Sequence, residues 1–70
     1  MQVTTRELEI INLIAEGLEY REIAGLLHIA PLTVATHRRN IMRKMQAKTS
    51  AHLIKIAFES RLINVQSKAA

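Results

Sequence analysis

The segment Pro31-Leu32-Thr33-Val34-Ala35-Thr36-His37-Arg38-Arg39-Asn40-Ile41-Met42-Arg43-Lys44-Met45 decides the fold. Pro31 suits the first position of a helix, because the amide proton it lacks would be unpaired there in any case. Val34, His37, Ile41 and Met45 then recur at spacings of three, four and four residues. At about 100° per residue they share one stripe. Leu32, Ala35, Thr36, Arg39 and Arg43 fall on the opposite side. The segment reads as a helix with a narrow buried face and an outer face of small, hydroxyl-bearing and arginine side chains. A helix lying on a membrane surface would direct large apolar residues outward, opposite its cations; here the apolar stripe is better explained as core.

Working outward, the short turn His28-Ile29-Ala30 separates this helix from one expected over residues 20–27, with Ile23, Ala24 and Leu27 on its buried side. Gly25 lies inside it, at a cost of about 1 kcal/mol relative to Ala unless close packing requires it. Upstream, Thr4-Thr5-Arg6-Glu7 fits a capping box, in which the Thr4 hydroxyl accepts from the Glu7 amide while the Glu7 carboxylate reaches back. Ile10, Leu13 and Ile14 continue with helical period, Ile11 flanks them, and Gly17 is placed to end the helix in a left-handed conformation. Leu8 points away from that stripe and reads as an ordinary exposed leucine. Downstream, Gln46-Ala47-Lys48 is a linker, and Thr49 or Ser50 caps a fourth helix reaching about Ser60. Its core residues are Leu53, Ile54 and Ala57, with Ile56 and Phe58 projecting to either side. One domain over residues 1–63 is expected, followed by a polar, frayed tail over residues 64–70.

Composition supports an all-α, four-helix fold. In 70 residues there are two Gly, one Pro, one Tyr, one Phe and no Trp, against a hydrophobic fraction of 49%. The core must be aliphatic, and the scarcity of chain breakers favours helices over a sheet. The absence of cysteine excludes disulfides, thiolate metal sites and cysteine nucleophiles. No apolar run approaches the roughly 20 residues that cross a bilayer, and the N-terminus lacks a secretory layout. A cytoplasmic domain is expected.

Charge is segregated along the chain. Through residue 22 there are five Glu against Arg6 and Arg21, whereas residues 23–58 hold no acid and carry Arg38, Arg39, Arg43, Lys44, Lys48 and Lys55. Such a distribution suits a polyanion, although a solvated basic face has the same composition. The B-DNA major groove, about 12 Å wide, admits one helix. Ala35 and Thr36 are small enough to approach its floor, and the Arg39 fork matches a guanine edge. Thr33, Arg38, Arg43 and Lys44 are placed to hold phosphates. His37 sits on the inner edge of the helix, where a bracing role competes with a phosphate contact. Three histidines without ligand spacing predict no metal site, and Met42 and Met45 read as core filler. Neither Ser50 nor Ser60 has a visible His–carboxylate partner set, so no catalytic residues and no cofactor are expected.

The stretch over residues 4–63 resembles the LuxR/FixJ-type (GerE-type) helix-turn-helix domain. The resemblance is carried by Thr4, Arg6-Glu7, Ile10, Leu13-Ile14-Ala15-Glu16-Gly17, Glu22-Ile23-Ala24, Leu27, Ile29, Thr33-Val34, Thr36-His37, Ile41, Lys44, Ala57 and Leu62-Ile63, in consistent register. It implies a four-helix domain that docks its third helix in the major groove as the output of a bacterial transcriptional regulator, in particular a two-component response regulator. It implies a homodimer on inverted half-sites, joined largely through the fourth helix, with RNA polymerase as a further partner and the bacterial nucleoid as its place of action. Ala35, Thr36 and Arg39 then occupy base-facing positions, and Thr33, Arg38 and Lys44 backbone-contacting ones. Ile56 and Phe58 are candidates for the dimer surface.

Departures from the family pattern are local. Ala30 and Glu19 stand where side-chain caps are usual. Gln46 and Arg61 stand where Gly is common, so each is expected to adopt a left-handed conformation at about 1–2 kcal/mol. Ala35 replaces a frequent Lys and removes one DNA contact. Helix one following directly on Met1 suggests either an output domain excised from a longer regulator or a stand-alone regulator, with excision the preferred reading. Two other readings use the same helices: a protein-binding module docking through Leu8, Ile56 and Phe58, and a promoter binder resembling region four of a sigma factor.

Overall fold

A computed structural model describes residues 2–63, so the expected tail over residues 64–70 lies outside the described residues. Four helices follow in order: α1 (Thr5–Ala15), α2 (Tyr20–Leu27), α3 (Pro31–Met45) and α4 (Ser50–Glu59). Among the described residues there is no strand.

The starts of the helices follow their capping chemistry. The Glu7 amide donates to the Thr4 hydroxyl at 3.1 Å and the Thr4 amide donates to Glu7 Oε1 at 2.9 Å, which completes the box expected for α1. At α2, the Glu22 carboxylate accepts from the Glu19 amide at 2.9 Å. The helix start with an unusual N-cap residue is therefore closed by a glutamate one turn on. At α4 the Thr49 hydroxyl accepts from the His52 amide at 3.0 Å. Only α3 starts on a residue without hydrogen-bonding side chain, Ala30, followed by Pro31 at its first position.

The ends of the helices share one device. Gly17, His28, Gln46 and Arg61 have φ of 90°, 57°, 53° and 61°. After each of them, the next amide reaches back across the last turn: Leu18 to the Leu13 carbonyl at 3.2 Å, Ile29 to Ala24 at 3.1 Å, Ala47 to Met42 at 2.9 Å and Leu62 to Ala57 at 2.9 Å. This is the Schellman closure, in which the residue after the left-handed one also makes an apolar contact. Leu18, Ile29, Ala47 and Leu62 are all packed against the core. Burial of that following side chain offsets the left-handed strain at three non-glycine positions. Gln46 and Arg61 behave as the sequence predicts; the left-handed His28 was not anticipated.

Ile10, Ile11, Ile23, Val34, Ile41 and Leu53 are fully buried, joined by Ala24, Met45, Ala57 and Ile63. The single-stripe reading of α1 needs correction. Ile11, expected at the flank, is as buried as Ile10, and Leu8, expected to be exposed, packs half-buried against the core. The reason is topological: α1 contacts each of the other three helices, so its buried face is wider than a stripe that serves one neighbour. Leu27, His37 and Ile54 lie half-buried at the edge of the core, and Ile63, beyond α4, closes its base.

A Cβ placed on Gly25 meets no atom within 4 Å, so close packing does not account for this glycine. Gly25→Ala is expected to stabilise the fold by about 0.5–1 kcal/mol through helix propensity. Gln46→Gly should do the same by about 0.5–1 kcal/mol by relieving its positive φ. Urea unfolding midpoints check both. A lower midpoint for Gly25→Ala would show a packing demand on α2 that the structure does not contain.

Candidate nucleic-acid interface

The placement of α3 begins with its inner face. Val34, Ile41 and Met45 are buried, each at 5% exposure or less, against the other helices. The tight α2–α3 turn is set by the left-handed His28 and the inward Ile29. Two polar contacts fix the helix further. Near its middle, Arg38 donates through Nη2 and Nε to the Ser50 hydroxyl at 2.6 and 3.2 Å, joining α3 to the start of α4. Ser50 is available for this because Thr49 serves as the cap. Near its C-terminal end, Lys44 Nζ donates to both carboxylate oxygens of Glu7, at 2.8 and 2.9 Å, and to the Gln2 carbonyl at 3.2 Å.

Glu7 is the buried charged residue among those described. Burial by itself pushes its carboxyl up. The Lys44 hydrogen bonds, the Thr4 amide and hydroxyl, and the Lys44 charge together outweigh that effect and hold it below the ordinary glutamate range. One carboxylate thus caps α1 and anchors the C-terminal end of α3.

The outer face is bare by comparison. Leu32, Thr33, Thr36, Arg39 and Arg43 are exposed along it. The Thr36 hydroxyl donates to the Leu32 carbonyl at 3.0 Å, and Arg43 donates to Asn40 Oδ1 at 3.3 Å. Among the described residues, the Arg39 guanidinium has no hydrogen-bond partner. Ala35 is half-buried, on the lip of a groove that it lines with Tyr20, Ile23, Val34, Arg38 and Ser50.

The structure therefore gathers Thr33, Ala35, Thr36, Arg39 and Arg43 on or beside one surface. It engages two further predicted cations internally, Arg38 on Ser50 and Lys44 on Glu7, and sets His37 half-buried at the rim of the core. On α4, Ile56 is half-buried against the core while Phe58 is 52% exposed. Of the Leu8, Ile56 and Phe58 patch imagined for protein docking, only Phe58 stands out from the surface. Glu7 and Ser50 were missed as partners of α3. The capping reading of Glu7 used only its local neighbour, and nothing in the local pattern ties it to Lys44, 37 residues away. Among the described residues no group of three His, Asp or Glu side chains is gathered to hold a metal ion, and no helix is long and apolar enough to cross a membrane.

Residues 1–57 match the family model described as bacterial regulatory proteins, luxR family. The chain belongs to the luxR family. Its sequence is 48% identical over 56 residues to the uncharacterized response regulatory protein YgeK of Escherichia coli (strain K12), which covers 80% of this chain and 38% of that protein. It is 40% identical over 55 residues to the transcriptional regulatory protein FixJ of Rhizobium meliloti (strain 1021), covering 79% of this chain and 27% of FixJ. The crystal structure of the response regulator ChrA, of a heme-sensing two-component system, matches with a TM-score of 0.86 at 33% identity over 90% of this chain and 31% of ChrA. The luxR-family chain thus spans well under half the length of these relatives. It is a DNA-binding helix-turn-helix domain of the kind that response regulators carry, and the family is one of transcriptional regulators rather than of enzymes.

The Glu7–Lys44 pair makes a pH prediction. Because the folded carboxyl titrates below its unfolded value, its contribution is complete above about pH 4.3, the ordinary glutamate pKa. It is lost as the pH falls through the folded value. Glu7→Gln is expected to lose about 1–2 kcal/mol at pH 7, below the roughly 3–5 kcal/mol of a fully buried broken pair. The discount reflects the Lys44 side chain, which keeps 39% exposure. The gap between wild type and variant should close as denaturation is repeated at pH values further below 4; a gap independent of pH would remove the ion pair from the account.

Proposed function

We propose that residues 1–63 form the sequence-specific, double-stranded-DNA-binding output domain of a bacterial transcriptional regulator of the two-component type, with α3 in the major groove. One observation carries this reading. A helix whose inner face is completely taken up by the core leaves an outer face on which Arg39 stands exposed and unpaired among the described residues, in a stretch without acidic side chains. A bare guanidinium flanked by small side chains is suited to a bidentate pair with a guanine edge.

In this reading Ala35, Thr36 and Arg39 face the bases. Thr33, at the helix start, and Arg43, on the side, contact phosphates. Arg38 and His37 contribute from the edge, Arg38 through the part of its guanidinium that Ser50 leaves available. Lys44 adds its charge to the field at the DNA surface while its ammonium stays anchored on Glu7, so its main work is positioning. Two copies bind inverted half-sites, with α4 between them and Phe58 and Ile56 at the contact. RNA polymerase is the further partner through which such a regulator acts at a promoter, and the bacterial nucleoid is where it acts.

Selection from a random duplex library is the test. A palindromic or inverted-repeat site should be enriched. Arg39→Ala should then weaken binding to it by about 10- to 100-fold, with discrimination lost at one base pair per half-site and general affinity retained. Arg43→Ala should weaken binding to all sequences alike and reduce the salt dependence by about 0.9 per lost phosphate contact. If no sequence is enriched and affinity does not fall with salt, the domain is not a specific DNA reader, and docking of a protein partner becomes the better account.

A further inference from the structure

Among the described residues Leu32 is the most exposed of the large apolar side chains, at 74%, compared with 58% for Leu26, 52% for Phe58 and 46% for Tyr20. It contributes nothing to the core. It occupies the second position of α3 and heads the stripe that continues through Ala35, Thr36 and Arg39, at spacings of three, four and seven residues. Its neighbour one turn on, Thr36, has committed its hydroxyl proton to the Leu32 carbonyl at 3.0 Å. The N-terminal half of the stripe therefore presents an isobutyl group, a methyl group and a threonine whose hydroxyl is turned to the helix backbone. Along this stripe the first side-chain N–H donors are those of Arg39.

A strip that is apolar at one end and cationic at the other needs an occupant with matching chemistry. The major-groove floor offers one apolar group, the C5-methyl of thymine, alongside the acceptors of guanine. Helix-turn-helix proteins read bases with the N-terminal residues of the recognition helix, which is where Leu32 lies. From Leu32 to Arg39 the helix rises about 10 Å, or about three base-pair steps. We propose that Leu32 is a specificity-determining residue that reads a thymine methyl group within about three base pairs of the guanine taken by Arg39. This rests on the DNA-reading face proposed above and deepens it: each half-site carries an A·T pair at its Leu32 end and a G·C pair at its Arg39 end.

The test uses the enriched duplex and versions in which each thymine in turn is replaced by uracil, which removes only the methyl group. Kd is measured by fluorescence anisotropy for the wild-type chain and for Leu32→Ala. The variant loses no buried contact and gains helix propensity, and circular dichroism confirms its fold. For wild type, uracil at one position per half-site should weaken binding about fourfold, the value of one buried methyl-sized group. Leu32→Ala should bind the thymine duplex about fourfold or more weakly and be indifferent to that uracil. The inference is overturned if wild type binds every uracil duplex as well as the parent, or if the uracil effect persists undiminished in Leu32→Ala. In either case enrichment and dependence on Arg39 would leave the DNA-reading proposal intact. Failure to enrich any site would overturn both.

Discussion

The outer face of α3 is available because its inner face is fully consumed. Val34 and Ile41 at 1% exposure and Met45 at 5% engage the core, so the helix cannot roll without exposing aliphatic surface. Full burial of each such side chain is worth about 1.5–3 kcal/mol, and a roll that exposed all three would cost a large part of the stability of so small a domain. That constraint leaves the orientation of Leu32, Thr36, Arg39 and Arg43 with little freedom. The Glu7–Lys44 pair and the Arg38–Ser50 contact refine it by tying the far end of α3 to α1 and its middle to α4. These contacts also commit two of the helix's cations to partners on other helices, and the cations left without such partners form a narrower set than the count of basic residues implies.

Compactness in a chain of this length comes from how its helices end. Four left-handed residues turn the chain, and each is followed by an apolar side chain that returns to the core. Connections of a few residues thereby reverse direction without surrendering buried area, which matters in a domain too short for a large core. Three of these positions carry side chains, His28, Gln46 and Arg61, and the strain they hold is offset by the packing of Ile29, Ala47 and Leu62.

What was legible in the sequence was governed by local rules. The period of Val34, Ile41 and Met45, the Thr4–Glu7 box, Pro31 at a helix start and Gly17 at a helix end each follow from backbone geometry within a few residues. The features that escaped depend on the tertiary arrangement. Ile11 and Leu8 are covered because α1 is central, Ile63 because the chain doubles back after α4, and Glu7 meets Lys44 only once α1 and α3 are packed. His28 escaped for another reason: histidine is only modestly favoured at positive φ, and the inward Ile29 that follows is what fixes the turn. For the proposed site, residue chemistry pointed to the outer face of α3 but could not show that Arg38 and Lys44 are engaged by Ser50 and Glu7. Family membership places the chain among transcriptional regulators; in the proposed reading, the side chains on the outer face of α3, Leu32 and Ala35 among them, select the bases.

The central claim is that the exposed stripe of α3 is the surface that meets DNA while the rest of the fold stays as it is. Titrating the isotopically labelled chain with its enriched duplex and following every backbone amide by NMR addresses this directly. The largest shift changes are expected at Leu32, Thr33, Thr36 and Arg39, with the amides of Ile10, Ile11 and Leu53 nearly unmoved. Changes concentrated around Phe58, with the α3 stripe unaffected, would contradict the account.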